Sequence, residues 1–295
     1  MEARHRPPHW DSLCGGDAPV SWKSLGLVLP EMLSEARLEL HWATQLVSVV
    51  GTSLLPPQPD FSHTNCGWLG ELGVFAGRAV GEDALRAALV FEGLELVLLD
   101  GNLERASLSL AGRTLEDGRL WLASELGVPS DKLRLPEHEM PGHPVGDGGV
   151  FSEARTDERT ELAAWFANGT RLIEELVADD PAASPVRCWP HHFDVGTLIA
   201  LDADVDREKA RSIGVGLSPG DGSYDQPYFY VNPWPYPDTA ALPALEAGVE
   251  WHTTGWTGAV LTADRLISVP HEEQQAHAKR ALQGAIQASR ALLGD

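Results

Sequence analysis

The feature that most constrains this chain is a succession of helical and strand patterns that occurs twice. From Pro30, apolar residues recur at helical spacing, and the prolines within residues 56–59 end this helix because proline cannot continue it. Strand patterns follow, and residues 91–102 predict a hairpin with Asp-Gly-Asn at its tip. A second helix is predicted over residues 113–129, with Thr114 as its N-cap.

The second half of the chain repeats this order. A helix pattern begins at Thr156, strand patterns follow, and residues 271–293 form a last helix pattern. The junctions between helix and strands also correspond, since "DFSHTNCGW" and "VRCWPHHFD" both carry Cys, Trp and His before an apolar strand. We therefore predict an α+β fold of two related halves, each with a helix, antiparallel strands and a helix, packed as one compact unit.

Composition places the boundaries of these regions. Residues 133–151 are rich in Pro and Gly and lack periodicity, so they are interpreted as a linker. The linker joins a first half, residues 30–132, to a second half, residues 152–295. Residues 1–29 are also rich in Pro and Gly, and we expect an irregular arm packed against the single domain formed by residues 30–295.

The charge balance excludes several classes of partner. The chain has 22 Lys and Arg against 43 Asp and Glu, a formal net charge of −21. Such a surface repels phosphate backbones and anionic lipid heads, so we expect neither nucleic acid nor membranes as partners. Three widely spaced cysteines are typical of a reducing compartment rather than of a disulfide framework. With no apolar leader and no long apolar run, the sequence predicts a soluble cytoplasmic protein.

The strongest chemical signal lies in "CWPHHFDVGTLIALD", residues 188–202. In an extended segment His192 and Asp194 share one face, while His191 points to the other. One interpretation is acid–base catalysis, with Asp194 orienting His192 as the general base. Another is a divalent transition-metal site, with His63 or His252 as the third ligand beside His192 and Asp194, and His63 is the preferred candidate. A third is structural, a His–Asp hydrogen bond that holds the end of a strand. The residues alone leave these alternatives open.

The first helix carries a polar notch in an otherwise apolar stripe. His41 and Gln45 lie four residues apart, so they share one face of the helix. Buried polar groups need partners, so this notch either hydrogen-bonds to neighbouring strands or lines a cavity. We take His41 and Gln45 as candidate ligand-binding residues.

The aromatic stretch "PYFYVNPWPYP" is a second candidate for ligand contact. Its strand places Tyr228 and Tyr230 on one face, and these residues with Trp234 are candidate ligand-binding residues. Pro227 and Pro233 predict an edge strand or a short central one. If it lies at an edge, the strand over residues 227–234 is suited to bind a peptide by strand addition.

With these motifs in view, the chain resembles a bacterial family of unknown function. The resemblance rests on an LHxxTQ-like helix at residues 40–45, a WPxHFD-like strand at residues 189–194 and a PYFYxxPWP-like aromatic strand at residues 227–235. It implies one compact unit and no established activity. It also implies that certain motif residues belong to one neighbourhood, namely His41, Gln45, His63, His192 and Asp194.

These observations favour a small-molecule-binding protein or an enzyme acting on a small polar molecule. Its cleft would lie between the two halves, lined by His and Asp side chains, and a bound metal would act as a Lewis acid. The alternative is a non-catalytic interaction module that binds a peptide through residues 227–234. The sequence leaves open whether the protein is an enzyme, and it is compatible with a homodimer.

Overall fold

The computed structural model describes residues 21–135, 138–202 and 210–294. Within them the chain forms five α-helices and two antiparallel sheets, so the predicted α+β fold class is confirmed. None of the described helices combines the length and the apolar character needed to cross a membrane.

The chain divides into two compact units. The first unit runs from Trp42 to Ala154, and the second comprises Lys23–His41 and the chain from Arg155 onward. Helix α1 (Ser34–Leu54) therefore contributes its first two turns to the second unit and the rest to the first. The predicted duplication of two halves, and their packing as one unit, stay predictions.

The segment interpreted as a linker, residues 133–151, belongs to the first unit. Leu133, Val145 and Phe151 are buried, and the Phe151 amide donates to the carbonyl of Arg113 at 2.8 Å. The apolar residues of this segment are interspersed with Pro and Gly and follow neither the helical nor the strand period. Their burial therefore cannot be predicted from the sequence pattern. The division between the units falls after Ala154 rather than in this segment.

The first unit contains a five-stranded sheet in which each strand pairs with the next along the chain. Its strands are β1 (Gly67–Leu69), β2 (Val74–Ala76), β3 (Arg86–Val90), β4 (Glu95–Asp100) and β5 (Leu103–Ser109). The hairpin predicted with Asp-Gly-Asn at its tip is confirmed, since β4 and β5 flank these residues. Helix α2 (Leu115–Glu125) begins with a capping box formed by Thr114 and Asp117, as local sequence predicts.

Both faces of this first sheet are apolar and buried at the centre of strands β3 and β4. On one face Ala88 of β3 pairs with Val97 of β4 in a hydrophobic cluster. On the other face Leu89 pairs with Leu96, and all four side chains have no exposed surface. A sheet with this residue pattern is a packing element, and none of its central positions carries a reactive group.

The second unit contains a six-stranded sheet with the order β10-β11-β9-β8-β7-β6. Its strands are β6 (Arg187–Trp189), β7 (Asp194–Ala200), β8 (Ser212–Ser218), β9 (Tyr228–Trp234), β10 (Glu250–His252) and β11 (Gly258–Thr262). Its helices are α3 (Thr156–Val177), α4 (Ala263–Ile267) and α5 (His271–Leu293). Strand β9 is hydrogen-bonded to β8 on one side and to β11 on the other, so of the two positions that its prolines allow it takes the central one. Over Tyr228–Val231 both edges of β9 are occupied, and peptide binding through residues 227–234 stays a prediction.

One face of this sheet packs against helix α3. The Trp165 ring of α3 lies 6.2 Å from that of Phe229 in β9. A side chain at Gly169 would collide with Leu217 of β8, so glycine allows the helix to approach the sheet closely. The opposite face of β9 carries Tyr228 and Tyr230, as the alternation predicts.

Candidate functional site in the second unit

A row of glycines makes room for Tyr230 on the polar face of the second sheet. Gly196 of β7 is paired with Gly216 of β8, and Gly216 is paired with Tyr230 of β9. A β-carbon on Gly216 would lie less than 3.0 Å from the Tyr230 ring, and one on Gly196 would reach the Tyr230 hydroxyl. The ring therefore lies across two strands, and its hydroxyl donates a hydrogen bond to Asp194 at the start of β7.

Asp194 is held through only one of its two carboxyl oxygens. Oδ2 accepts the hydrogen bond of Tyr230, whereas Oδ1 is shielded from solvent and has no hydrogen-bond partner in the described part of the chain. Burial raises the pKa of Asp194; the hydrogen bond from Tyr230 and the charge of His192 act against this rise. Burial and the Asp194 carboxylate also raise the pKa of Tyr230 well above its usual value.

A second tyrosine–aspartate pair lies beside the first. The Tyr228 hydroxyl donates to Asp221 Oδ2 at 2.6 Å, and the Tyr228 ring is 6.2 Å from that of Tyr230. The other Asp221 oxygen accepts the backbone amides of Ser223 and Tyr224 at 2.7 and 3.2 Å. Asp221 thereby fixes the loop between β8 and β9, and burial raises the pKa of Tyr228.

Arg37 of helix α1 supplies the positive charge of this neighbourhood. Its Nη2 donates to Asp225 Oδ1 at 3.0 Å, with an Arg37 side chain only 11 % exposed against 70 % for Asp225. Its Nε and Nη1 are buried and have no acceptor among the described residues. Burial lowers the pKa of Arg37, and the charges of Asp225 and Asp221 oppose this change.

The loop between β8 and β9 leaves space for the guanidinium of Arg37. Gly220 has φ +117, a conformation that side chains disfavour, and a β-carbon there would lie 2.5 Å from Arg37 Nη1. The Gly220 amide donates to the hydroxyl of Ser218 at 3.1 Å. Glycine is therefore required at position 220 for both its backbone angle and the space that it leaves.

His192 does not stand where an extended segment would place it. The segment between β6 and β7 is a turn, and Phe193 has φ 58, so the premise that His192 and Asp194 share a strand face is wrong. His192 is exposed, its ring lies 4.1 Å from that of His191, and no hydrogen bond of the described residues joins it to Asp194. The charge of His192 nevertheless acts to lower the pKa of Asp194.

His41 contacts the turn between β6 and β7. Its Nε2 is 2.8 Å from the carbonyl oxygen of Pro190, and its ring stacks on Phe193 at 5.2 Å with an interplanar angle of 13°. These contacts hold the backbone that leads into Asp194. They assign His41 a positioning role in the second unit, and its predicted ligand contact stays a prediction.

The third predicted metal ligand, His63, lies in the first unit. It is buried, and its Nδ1 accepts the Gln58 amide at 3.1 Å, which closes the loop after α1. Across the described residues, no three His, Cys, Asp or Glu side chains are grouped in a way that could hold a metal ion. The set His63, His192 and Asp194 thus receives no geometric support, and the divalent transition metal stays a prediction.

The other predicted ligand-binding residues, Gln45 and Trp234, have contacts of a different kind from those of Asp194. Gln45 is buried in the first unit, where it lines a cavity. Trp234 ends β9, is 42 % exposed and packs edge-on against Tyr236 at 5.1 Å. Tyr228 and Tyr230 are the two predicted ligand residues that the fold brings into one polar network with Asp194.

Sequence reasoning misses Gly216 and Arg37, which both belong to this network. Gly214 and Gly216 alternate within strand β8, and glycines at strand spacing signal a close approach of other groups. Arg37 has no such signal, because it is one of several charged residues on an amphipathic helix. The burial of Arg37 depends on the loop at Gly220, which lies 183 residues later in the chain.

Comparison with protein-family models, with curated proteins and with solved structures finds no match to this chain. The resemblance to a bacterial family of unknown function therefore stays a prediction. The function has to be argued from the residues of the site alone.

Proposed function

We propose that the second unit binds a small polar molecule and exchanges a proton with it through Asp194. One observation carries the proposal: Asp194 Oδ1 is buried without a partner while Oδ2 is engaged by Tyr230. Buried polar atoms in folded proteins are nearly always hydrogen-bonded. A bound molecule would supply the partner that Oδ1 lacks.

The arrangement suits acid–base chemistry. Because Tyr230 donates to Oδ2, the acidic proton of a neutral Asp194 resides on Oδ1, the oxygen that has no partner. Burial raises the Asp194 pKa, and a raised carboxyl pKa is typical of residues that act as general acids and bases. In this proposal Asp194 is the acid–base group, and the exposed His192 exchanges the proton with solvent.

The neighbouring donors indicate the kind of group that binds. Arg37 offers buried Nε and Nη1 donors without acceptors among the described residues, and a protonated Asp194 would add a donor at Oδ1. A guanidinium presents paired N–H groups that match the two oxygens of a carboxylate. We therefore propose that the ligand carries a carbonyl or carboxylate oxygen.

The test combines a direct titration with a binding assay. Carbon-13 NMR of aspartate-labelled protein follows the Asp194 carboxyl carbon, which should titrate above the ordinary aspartate pKa. Saturation-transfer NMR with acetate, glycolate and acetamide as probes should detect binding that Asp194→Asn weakens. The matched control is Asp179→Asn, an exposed aspartate of the same unit, which should leave binding unchanged.

Two results would overturn the proposal. One is an Asp194 carboxyl that titrates at the ordinary aspartate value. The other is probe binding that Asp194→Asn and Asp179→Asn affect equally. Binding that appears only with added Zn²⁺ and is lost in His63→Ala would support the metal site instead of direct acid–base chemistry.

A further inference from the structure

The first unit contains a cavity of about 310 Å³. It lies between helix α1, which contributes Trp42 and Gln45, and residues 138–147 of the segment without periodicity. We propose that this cavity binds a small organic cation with a flat apolar body. The site is independent of Asp194, because every residue that lines it belongs to the first unit.

Trp42 forms a fixed apolar wall of the cavity. Its Nε1 donates to the carbonyl oxygen of Pro141 at 3.1 Å, which sets the orientation of the ring. A β-carbon on Gly146 would lie less than 3.0 Å from three atoms of the ring. Glycine at 146 therefore lets the backbone lie against the indole, and the wall is in place before any ligand enters.

The turn that carries Gly146 is held by its own hydrogen bonds. A 3₁₀ helix spans Pro144–Asp147, with the Val145 amide donating to Nδ1 of His143 at 3.3 Å. Because Nδ1 accepts this bond, the neutral imidazole carries its proton on Nε2. Gly148, with φ 86, closes the turn by donating to the carbonyl oxygens of Pro144 and Val145.

The charge of the lining determines which ligands fit. Asp147 is the acidic residue of the lining, and among the described residues of the cavity wall there is no Lys or Arg. A carboxylate near an indole ring favours a cation, through ion pairing and through attraction of positive charge to the ring. The polar edge formed by Gln45 and His143 adds hydrogen-bonding groups for a planar nitrogen-bearing head.

Size limits the ligand further. Small-molecule sites range from roughly 300 to 1,000 Å³, so this cavity is at the lower end and suits a single ring or a molecule of similar size. A bare metal ion does not fit the lining, since the described residues hold no group of three metal-ligating side chains.

Three probes of equal shape and different charge test the proposal. Benzamidine is a cation, benzamide is neutral and benzoate is an anion. Titration calorimetry with the full chain at pH 8, where free imidazole is uncharged, should give the tightest binding for benzamidine. Asp147→Asn should weaken benzamidine by about tenfold, the effect of losing one charge-assisted contact, and leave benzamide within about twofold.

Controls separate this site from folding effects and from the second unit. Asp100→Asn, an exposed aspartate at the end of β4, should leave all three affinities unchanged. Trp42→Phe should weaken benzamidine and benzamide together, and far-UV circular dichroism should show that each variant is folded.

The proposal is overturned if benzoate binds as tightly as benzamidine, or if Asp147→Asn changes nothing. Absence of saturable binding of all three probes at millimolar concentration would overturn it as well. Loss of benzamidine binding in Asp194→Asn but not in Asp147→Asn would assign the cation to the second unit and would also contradict it.

Discussion

The two sheets of this protein are built from the same kind of antiparallel strands but differ in what their faces carry. In the first unit both faces of β3 and β4 are apolar and buried at the centre of each strand. In the second unit one face of β9 carries Phe229 and Val231, and the other carries Tyr228 and Tyr230. The first sheet provides packing, whereas the second combines packing on one face with a hydrogen-bonded network on the other.

The difference originates in glycine. In the first sheet, pairs such as Ala88 and Val97 fill the space over the strands with methyl groups. In the second sheet Gly196 and Gly216 leave that space empty, and the ring of Tyr230 occupies it. The absence of side chains at Gly196 and Gly216 thus allows the hydroxyl of Tyr230 in β9 to donate a hydrogen bond to Asp194. The following predictions test the comparison between the two units, from the largest expected effect to the smallest.

Volume should dominate the stability of the first sheet. Leu98→Ala in β4 removes a fully buried side chain, and we expect the free energy of unfolding to fall by about 2–5 kcal/mol. Urea unfolding followed by circular dichroism measures the loss. The control is Leu103→Ala in the adjacent strand, 75 % exposed, which should change stability by less than about 0.5 kcal/mol. Equal losses for the two variants would show that β4 is not core.

Added volume should damage the second sheet. Gly216→Ala places a methyl group against the Tyr230 ring, and we expect a loss of about 1–3 kcal/mol in the free energy of unfolding. Gly284→Ala in helix α5 meets no neighbouring atom within 4 Å and should instead gain about 0.5–1 kcal/mol.

A second-site change identifies the cause of the Gly216→Ala loss. Tyr230→Ala removes the ring that collides with the new methyl group. The double variant should therefore be more stable than the sum of the two single losses implies. Strict additivity would mean that Gly216 and Tyr230 do not share the space.

The helix N-termini also differ between the units, because a side chain caps helix α2 and none caps helix α3. Helix α2 is capped by its own sequence, so Thr114→Ala should lower the free energy of unfolding by about 1 kcal/mol. Helix α3 begins after Arg155, whose side chain makes no capping bond, so Arg155→Ala should change stability by less than about 0.5 kcal/mol. Chemical denaturation of both variants provides the comparison, and a larger loss for Arg155→Ala would contradict it.

The Asp194 network should produce a pH dependence that the first sheet lacks. Burial raises the folded-state pKa of Asp194, so its contribution to stability is present below the unfolded-state pKa and is lost as pH rises through the folded-state pKa. Relative to Asp194→Asn, which mimics the protonated side chain, the wild type should therefore lose stability as pH rises. Unfolding curves at several pH values measure this smallest effect, with Asp179→Asn as the control. A difference that stays constant or grows in favour of the wild type would contradict the raised pKa.

Sequence alone determined the α+β class, the N-cap at Thr114 and the hairpin with Asp-Gly-Asn at its tip. It also determined that Tyr228 and Tyr230 share a face of their strand. Each of these features rests on residues a few positions apart, through side-chain periodicity or a local hydrogen bond, so the sequence itself carries the information.

Only the tertiary structure decided where β9 lies in its sheet, because proline is compatible with more than one position and pairing joins distant strands. The same holds for the turn that carries His192 and Phe193, which His41 supports from a distant helix. It holds also for Arg37, whose buried nitrogens depend on the loop at Gly220. Burial and unpaired polar atoms arise from contacts between residues far apart in sequence, and for this reason the site around Asp194 emerges only when the chain is folded.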